Sequence, residues 1–207
     1  MKDLYSSIAS SYSSLAKLVF GQALSQAKVF FIEPSISKNL LIIGGGDGVD
    51  YQDFSAQLQG DYWEISSSML DLAKQNLEQS ALAFHLGDFG QPKKSGYDEV
   101  WLHFVLDTLS DLELVSFLKK VKALVKPDTL IHLVDFFPPQ TLRQRVIQFA
   151  MMQFFRIATS HPRNDIPDYE QHLDSLGFEK VKEKTWKNGW IRSQMWKIKD
   201  TFPPLSE

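Results

Sequence analysis

The residues best suited to chemistry in this chain form a glycine-rich turn that follows a buried strand. Residues 40–43 are apolar on both faces, which is typical of a strand inside a parallel sheet, and the segment 44–48 reads Gly-Gly-Gly-Asp-Gly. Glycines at such a point allow a tight turn and a close approach of the backbone to a ligand at the start of the next helix. Because a glycine turn also serves simply to avoid steric strain, it predicts a nucleotide-like cofactor only together with other signals.

A carboxylate at a fitting distance supplies the second signal. Glu64 lies in the next strand-like run, 61–65, and follows Gly44 by 20 residues. In dinucleotide-binding folds, an acid at about this spacing accepts hydrogen bonds from ribose hydroxyls. A carboxylate can accept both hydrogen bonds of a vicinal diol. The spacing therefore predicts that Glu64 binds a ribose, and the alternative is an exposed charge at the end of a strand.

The elements that would position these residues alternate between strand and helix, which predicts an α/β fold with a doubly wound parallel sheet. Helices are expected over 66–78 and 111–125, where apolar residues recur at helical spacing. Near the end of the chain, Asn188 and Gly189 separate two strand-like runs, 180–186 and 190–198, which is a strong hairpin signal. The five strands predicted before this hairpin are 39–43, 61–65, 82–87, 97–104 and 129–136.

These features together resemble the class I S-adenosylmethionine-dependent methyltransferases, over most of the chain. The motifs that carry the resemblance occur in the family's order: the glycine turn 44–48, the segment 64–70, Gly87-Asp88-Phe89, the fourth strand 97–106 and the turn 124–130. The resemblance implies a Rossmann-like methyltransferase sheet of about seven strands, built of packed α/β layers. It also implies a C-terminal antiparallel hairpin. The residues before Leu40 read as helix and are expected to form an N-terminal helical lid.

The resemblance implies S-adenosylmethionine as the cofactor. In the family, the acid at the position of Asp88 contacts the adenine amino group. The family's usual acid two residues before the first glycine is replaced here by Ile42, and Asp47 offers a nearby substitute carboxylate. The residues expected to bind the cofactor are Gly44, Gly45, Gly46, Asp47, Gly48, Glu64, Ile65, Met69, Asp88, Phe89 and His103.

Residues outside these motifs are expected to contact the acceptor, a small organic molecule with an apolar portion. Tyr5 and Tyr12 lie in an N-terminal helical region, 5–27, that could fold over the cofactor, or else pack against the core or lie at the surface. Met152 and Phe155 lie in an apolar stretch that could line an acceptor pocket, or else pack against the core or a dimer partner. No catalytic base is assigned. No spacing of His, Asp or Glu resembles a metal site, so no metal is expected.

The chain is expected to form one methyltransferase domain over residues 1–207, a length that suits a single core. Within it, the N-terminal helical lid covers 1–38 and the cofactor-binding core covers 39–136. Helices of the acceptor pocket cover 137–178, and the terminal hairpin covers 179–199.

The composition of the chain limits the binding partners and the cellular location that we expect. A net charge of -3 gives no general attraction to nucleic acid, and no nucleic-acid partner is expected. The chain has no cysteine and no uninterrupted apolar run of about 18 residues, so no membrane span is expected and the cytoplasm is the predicted location. A homodimer is left open.

Methyl transfer from S-adenosylmethionine to a small organic acceptor is the expected activity. The glycine motif also resembles that of spermidine synthases, which makes aminopropyl transfer from decarboxylated S-adenosylmethionine the alternative. Those enzymes carry an Asp-rich segment after strand four; here Asp107 and Asp111 could hold an amine, although helix capping explains them equally well. A non-catalytic cofactor-binding or assembly protein is a third hypothesis.

Overall fold

A central sheet with helices on both faces forms the protein. The computed structural model describes residues 19–33, 38–90, 96–159 and 165–199. The strands within them are β1 Lys38–Ile43, β2 Leu58–Glu64, β3 Ala81–Leu86, β4 Tyr97–His103, β5 Val125–Phe136, β6 Phe178–Trp186 and β7 Ile191–Ile198. The α-helices are α1 Ala23–Val29, α2 Ser67–Asn76, α3 Asp111–Lys122, α4 Leu142–Thr159 and α5 Tyr169–Ser175. Two 3₁₀ helices, Val49–Gln57 and Leu106–Thr108, follow β1 and β4.

The strand order is β3-β2-β1-β4-β5-β7-β6. The first five strands of the chain pair in parallel, and β7 lies antiparallel between β5 and β6. This confirms the predicted doubly wound sheet with a C-terminal antiparallel hairpin. The order reverses between β1 and β4, and open α/β sheets bind ligands at the carboxyl ends of strands flanking such a point.

Two helices begin where the sequence provides capping side chains. Ser66 caps α2 by accepting a hydrogen bond from the backbone N–H of Met69 (3.4 Å). Ser110 and Glu113 form a reciprocal capping box at the start of α3. The apolar faces of the two helices then pack on opposite faces of the sheet, with Leu70 in one core cluster and Leu118 in the other.

Two strands begin three or more residues earlier than the sequence predicts. β2 starts at Leu58. Its backbone approaches β1 so closely at Gly60 that a Cβ there would overlap the Leu40 carbonyl, so the glycine allows the strand pairing to begin before residue 61. β5 starts at Val125, in the segment where the resemblance implies a turn. There the Thr129 hydroxyl accepts a hydrogen bond from the Lys126 N–H (2.9 Å) and donates one to the Tyr97 carbonyl (2.6 Å). Thr129 thereby bridges the irregular pairing of β4 with β5.

The first described segment packs on the sheet beside the hairpin. Phe20 and residues Ala23 and Ala27 of α1 share a buried cluster with Val134 and Ile191. Residues 1–18, with Tyr5 and Tyr12, lie outside the described residues, so the N-terminal lid stays a prediction. Within the described part of the chain, no helix is both long enough and apolar enough to cross a membrane.

Candidate active site

A cavity of about 390 Å³ opens at the carboxyl ends of β1, β2 and β4. One part of its wall comes from the sequence motifs, and these residues are Gly44, Gly45, Gly46, Glu64, Ile65, Met69, Asp88, Phe89 and His103. The other part comes from later elements and from α1, and it includes Lys28, Phe104, Asp107, Phe136, Gln148, Met151, Met152 and Trp190. The cavity thus joins a motif-lined part to a second, mainly apolar part.

The glycine turn is held against the end of β2 by backbone hydrogen bonds. The Gly44 N–H donates to the Trp63 carbonyl (2.8 Å), and the Tyr62 hydroxyl donates to the Gly46 carbonyl (3.0 Å). Gly46 has a φ of +70°, and no heavy atom lies within 4 Å of where its Cβ would be. The backbone at Gly46 is therefore open to a ligand in the cavity.

Glu64 links the glycine turn to the start of α2. It is 7% exposed; one carboxylate oxygen accepts the Gly46 N–H (3.0 Å), and the other accepts the Ser66 N–H (2.9 Å). The side chain therefore braces the glycine turn as well as the start of α2.

Alanine is expected to be much more damaging at Gly45 than at Gly46. A Cβ on Gly45 would overlap the ring of Tyr62, which is fully buried and tied by its hydroxyl, so the variant should lose about 3 kcal/mol of unfolding free energy. A Cβ on Gly46 meets open space, and the positive φ should cost about 1 kcal/mol. Urea unfolding of both variants measures the difference. A loss at Gly46 equal to the loss at Gly45 would contradict the packing argument.

Asp47 and Gly48 do not line the cavity. The Asp47 carboxylate accepts the Val49 N–H (3.2 Å), and its backbone carbonyl accepts a hydrogen bond from the Asn76 amide (2.9 Å). A Cβ on Gly48 would press on Leu77 of the neighbouring helix end. In this structure both residues therefore shape the entry into the 3₁₀ helix that follows the turn.

The remaining motif residues lie at the ends of β2 and β3. Ile65 is 66% exposed although it lines the cavity, and Asp88 is also exposed. Phe89 is buried, with its ring edge-on to Trp63 (5.8 Å between ring centroids) and to Phe117 (5.7 Å). These side chains form an apolar slot with one carboxylate beside it, which suits a flat heterocycle.

His103 ends β4 and is part of a buried polar chain. Its Nδ1 lies 2.7 Å from the Tyr51 hydroxyl, and its ring stacks on Trp101 with 5.6 Å between centroids. Burial raises the pKa of Tyr51, and a buried hydroxyl needs an acceptor, so the hydroxyl donates to Nδ1. Burial also lowers the pKa of His103 well below its usual value, helped by the charges of His132 and Lys28. The ring is therefore neutral, and with Tyr51 donating to Nδ1 its proton is assigned to Nε2, which has no hydrogen-bond partner among the described residues.

Two carboxyl groups lie close together where β4 and β5 end. Asp107 lines the cavity, and Asp135 is fully buried and accepts the Phe136 N–H (2.8 Å). Burial, followed by the negative charge of Asp107, raises the pKa of Asp135 well above its usual value. Asp107 is therefore the member of this pair that a ligand can reach.

Only some of the residues expected to contact the acceptor have side chains that the structure describes. Met152 lines the cavity from α4. Phe155 belongs to the same helix, but its side chain is outside the described residues. In the part of the chain that the structure describes, no group of three or more His, Asp or Glu side chains is placed to hold a metal ion.

Sequence reasoning missed Lys28, Phe104 and Trp190, which line the cavity. Lys28 belongs to a short helix without a motif, and nothing in its spacing indicates a site. Trp190 adjoins the hairpin turn that the Asn-Gly signal predicts. Its position beside the cavity follows from the antiparallel insertion of β7, which the resemblance implies.

Comparison with known proteins supports the fold. No protein-family model and no curated protein sequence matches this chain. Its structure is similar to that of the mitomycin 7-O-methyltransferase MmcR, with a TM-score of 0.67 and 17% identity over 86% of this chain and 54% of that one. It is also similar to DhpI in its SAH complex, with a TM-score of 0.67 and 16% identity over 94% and 93%.

A third similar structure is that of an O-methyltransferase family 2 protein from Planctomyces limnophilus in complex with apigenin. The TM-score is 0.68 and the identity is 13%, over 95% of this chain and 62% of that one. The chain thus spans little more than half the length of MmcR and 62% of the Planctomyces protein. The fold that the sequence motifs predicted, that of the class I S-adenosylmethionine-dependent methyltransferases, is confirmed.

Proposed function

We propose that the protein transfers a methyl group from S-adenosylmethionine to a small organic acceptor. The observation that carries the proposal is the cavity at the carboxyl ends of β1, β2 and β4. All the motif residues expected at the cofactor except Asp47 and Gly48 line it, and a second, mainly apolar wall continues it. A wall with these two parts suits a cofactor at the first and, at the second, a molecule that receives a group from it.

The residues of the motif-lined part fit S-adenosylmethionine. Glu64, which lines this part of the cavity, would hold the ribose diol, and the open backbone at Gly46 would approach the rest of the cofactor. Ile65 and Phe89 would contact the adenine ring, with Asp88 at its amino group. When bound, the cofactor supplies a methyl group made electrophilic by its positively charged sulfur. The protein's main contribution is then to orient the acceptor and exclude water.

The second part of the wall supports an acceptor with an apolar portion. Phe136, Met151, Met152 and Trp190 provide apolar and adaptable contacts, and a few polar side chains among them could fix its orientation. The similar structures include a mitomycin 7-O-methyltransferase and a protein bound to apigenin, which supports small organic molecules as the class of acceptor.

Aminopropyl transfer is the second candidate, and one observation favours it. Asp107 lines the cavity just after β4, where an acid could hold an amine. The described chain up to β1 contributes the helix α1, rather than the β-structured N-terminal domain that the spermidine synthase resemblance implies. We therefore rank this function below methyl transfer.

An assay of product formation tests the proposal. Purified protein is incubated with S-adenosylmethionine and a panel of phenols, quinones, amines and carboxylates, and S-adenosylhomocysteine is quantified. We expect release that depends on both enzyme and acceptor. Decarboxylated S-adenosylmethionine with the amines is the parallel reaction, and product only from this donor would establish aminopropyl transfer. Cofactor binding without turnover on any acceptor would favour the non-catalytic hypothesis.

The other expectations from the sequence stay proposals that rest on composition and resemblance. They are a cytoplasmic location, the lack of a nucleic-acid partner, a homodimer and the division of the domain at residues 38, 136 and 178.

A further inference from the structure

A lysine brings a positive charge to the mainly apolar part of the cavity. Lys28 lies on α1 and lines the cavity together with Phe104, Phe136 and Trp190. Its side chain is only 19% exposed. Lysine is seldom this buried unless it is paired, because removing an ammonium group from water is costly. Lys28 has a partner, but the partner does not lie in the cavity.

The ammonium group is held from one side. Nζ donates a hydrogen bond to the Asp50 carboxylate (2.8 Å) and lies 5.9 Å from the ring centroid of Tyr51 and 5.8 Å from that of Phe104. Neither Asp50 nor Tyr51 lines the cavity, whereas Phe104 does. An ammonium has three hydrogens to donate, and the contact with Asp50 uses one. Asp50 thus holds the Lys28 ammonium group without itself lining the cavity.

The ring beneath the ammonium is positioned by an unusual backbone conformation. Phe104 has a φ of +57°, which bulky residues rarely adopt, and its N–H donates to the Val134 carbonyl (2.7 Å). The ring is tilted against Phe136 with 5.2 Å between centroids. Strained residues of this kind persist where the surroundings fix them, often at ligand clamps. Here the conformation directs an aromatic face toward Lys28.

We propose that Lys28 binds the acceptor through a negatively charged oxygen, an ionised hydroxyl or carboxylate on a flat apolar body that packs against Phe104. This inference rests on the proposed function and names the acceptor class for the same cavity. A cation in an apolar wall favours the ionised form of a nearby acid, and the released proton goes to solvent. A hydroxyl acceptor held in this way is bound as the nucleophilic anion without a histidine base.

Asp107 is the competing feature, since it would favour a positively charged amine in the same cavity. Three para-substituted nitrobenzenes of similar size separate the possibilities: para-nitrophenol as its anion, neutral para-nitroaniline and cationic para-nitrobenzylamine, which is longer by one methylene group. Affinities are measured by calorimetry with and without S-adenosylhomocysteine. We expect the wild type to bind the phenolate about 10-fold more tightly than the aniline, because the positive charge of Lys28 beside the bound probe favours the anion. The amine should bind most weakly.

The variants are chosen to isolate the charge. Lys28→Met should lose the preference for phenolate, and Lys28→Arg should keep it. Lys38→Met is the matched control, because Lys38 is 21% exposed and has its own carboxylate partner, Glu99 (2.6 Å), but does not line this cavity. The control should bind the probes as the wild type does. The absorbance of the nitrophenolate provides a second readout, since Lys28→Met should raise the pKa of the bound probe.

Three results would overturn the inference. They are equal phenolate preference in Lys28→Met and wild type, tighter binding of the amine than of the phenolate, and binding of none of the probes by protein that binds S-adenosylhomocysteine. Failure of the proposed function looks different. In that case neither S-adenosylmethionine nor S-adenosylhomocysteine binds, while the phenolate preference and its loss in Lys28→Met are still measured without them.

Discussion

Replacing Glu64 by alanine is expected to weaken binding of S-adenosylmethionine by about 2 to 4 kcal/mol, which is about 30- to 1,000-fold. The change removes the carboxylate proposed to accept the ribose hydroxyls. It also leaves the Gly46 and Ser66 N–H groups without their acceptor, so the glycine turn loses its brace. We expect a lower free energy of unfolding as well, by about 1 to 3 kcal/mol. Calorimetry and urea unfolding measure the two effects.

Glu99→Ala is the control for Glu64→Ala. Glu99 is equally buried, at 4% exposure, and its carboxylate accepts hydrogen bonds from Lys38 (2.6 Å) and the Trp101 indole (2.8 Å). It does not line the cavity. The control should lose stability but bind the cofactor normally. If folded Glu64→Ala keeps the wild-type affinity, Glu64 does not bind the ribose.

Acidification is expected to destabilise the protein through His132. This side chain is 1% exposed in β5, and its Nε2 lies 2.8 Å from the Ser193 hydroxyl. Burial, with a smaller effect from the charge of Lys38, lowers the pKa of His132 from 6.5 to about 3. The unfolded chain therefore binds a proton below its pKa of 6.5 that the folded protein excludes. The contribution of His132 to the free energy of unfolding is therefore present at higher pH and is lost as the pH drops below 6.5, by about 2 kcal/mol near pH 5.

A variant comparison isolates this contribution from other titrating groups. His103 acts in the same direction, because its pKa is also lowered. Asp135 acts in the opposite direction, because its raised pKa favours the folded state at low pH. The stability difference between wild type and His132→Asn should therefore shrink by about 2 kcal/mol from about pH 7.5 to about pH 5. Val134→Ala, a core truncation on the same strand, should keep a constant difference from wild type, and a constant difference for His132→Asn would contradict the assignment.

The parts of the fold that the sequence predicts are those governed by local patterns. The Asn-Gly pair fixes the hairpin through the positive φ of Asn188 and Gly189, and Ser66 and Ser110 start helices close to their predicted positions. The early starts of β2 and β5 depend instead on cross-strand contacts, at Gly60 with Leu40 and at Thr129 with Tyr97. Such contacts join residues far apart in sequence and leave no periodic signal.

The candidate site divides in the same way. The spacing of the glycine turn, Glu64 and Asp88 could be read from the sequence because each follows a strand, and parallel strands end at the same edge of a sheet. The sequence does not separate Gly46, which faces the cavity, from Gly48, which packs against Leu77. Lys28 reaches the cavity only through the packing of α1 beside β7. Tertiary packing therefore determines which residues line the acceptor part of the cavity.

Calorimetric titration of the purified protein with S-adenosylmethionine, S-adenosylhomocysteine, decarboxylated S-adenosylmethionine and NAD tests the central claim most directly. We expect S-adenosylmethionine and its demethylated product to bind more tightly than NAD, because Glu64, Asp88 and the apolar slot at Ile65 and Phe89 fit a single adenosine beside the acceptor wall. A preference for the decarboxylated form would point to aminopropyl transfer. Binding of NAD without binding of S-adenosylmethionine would contradict the account.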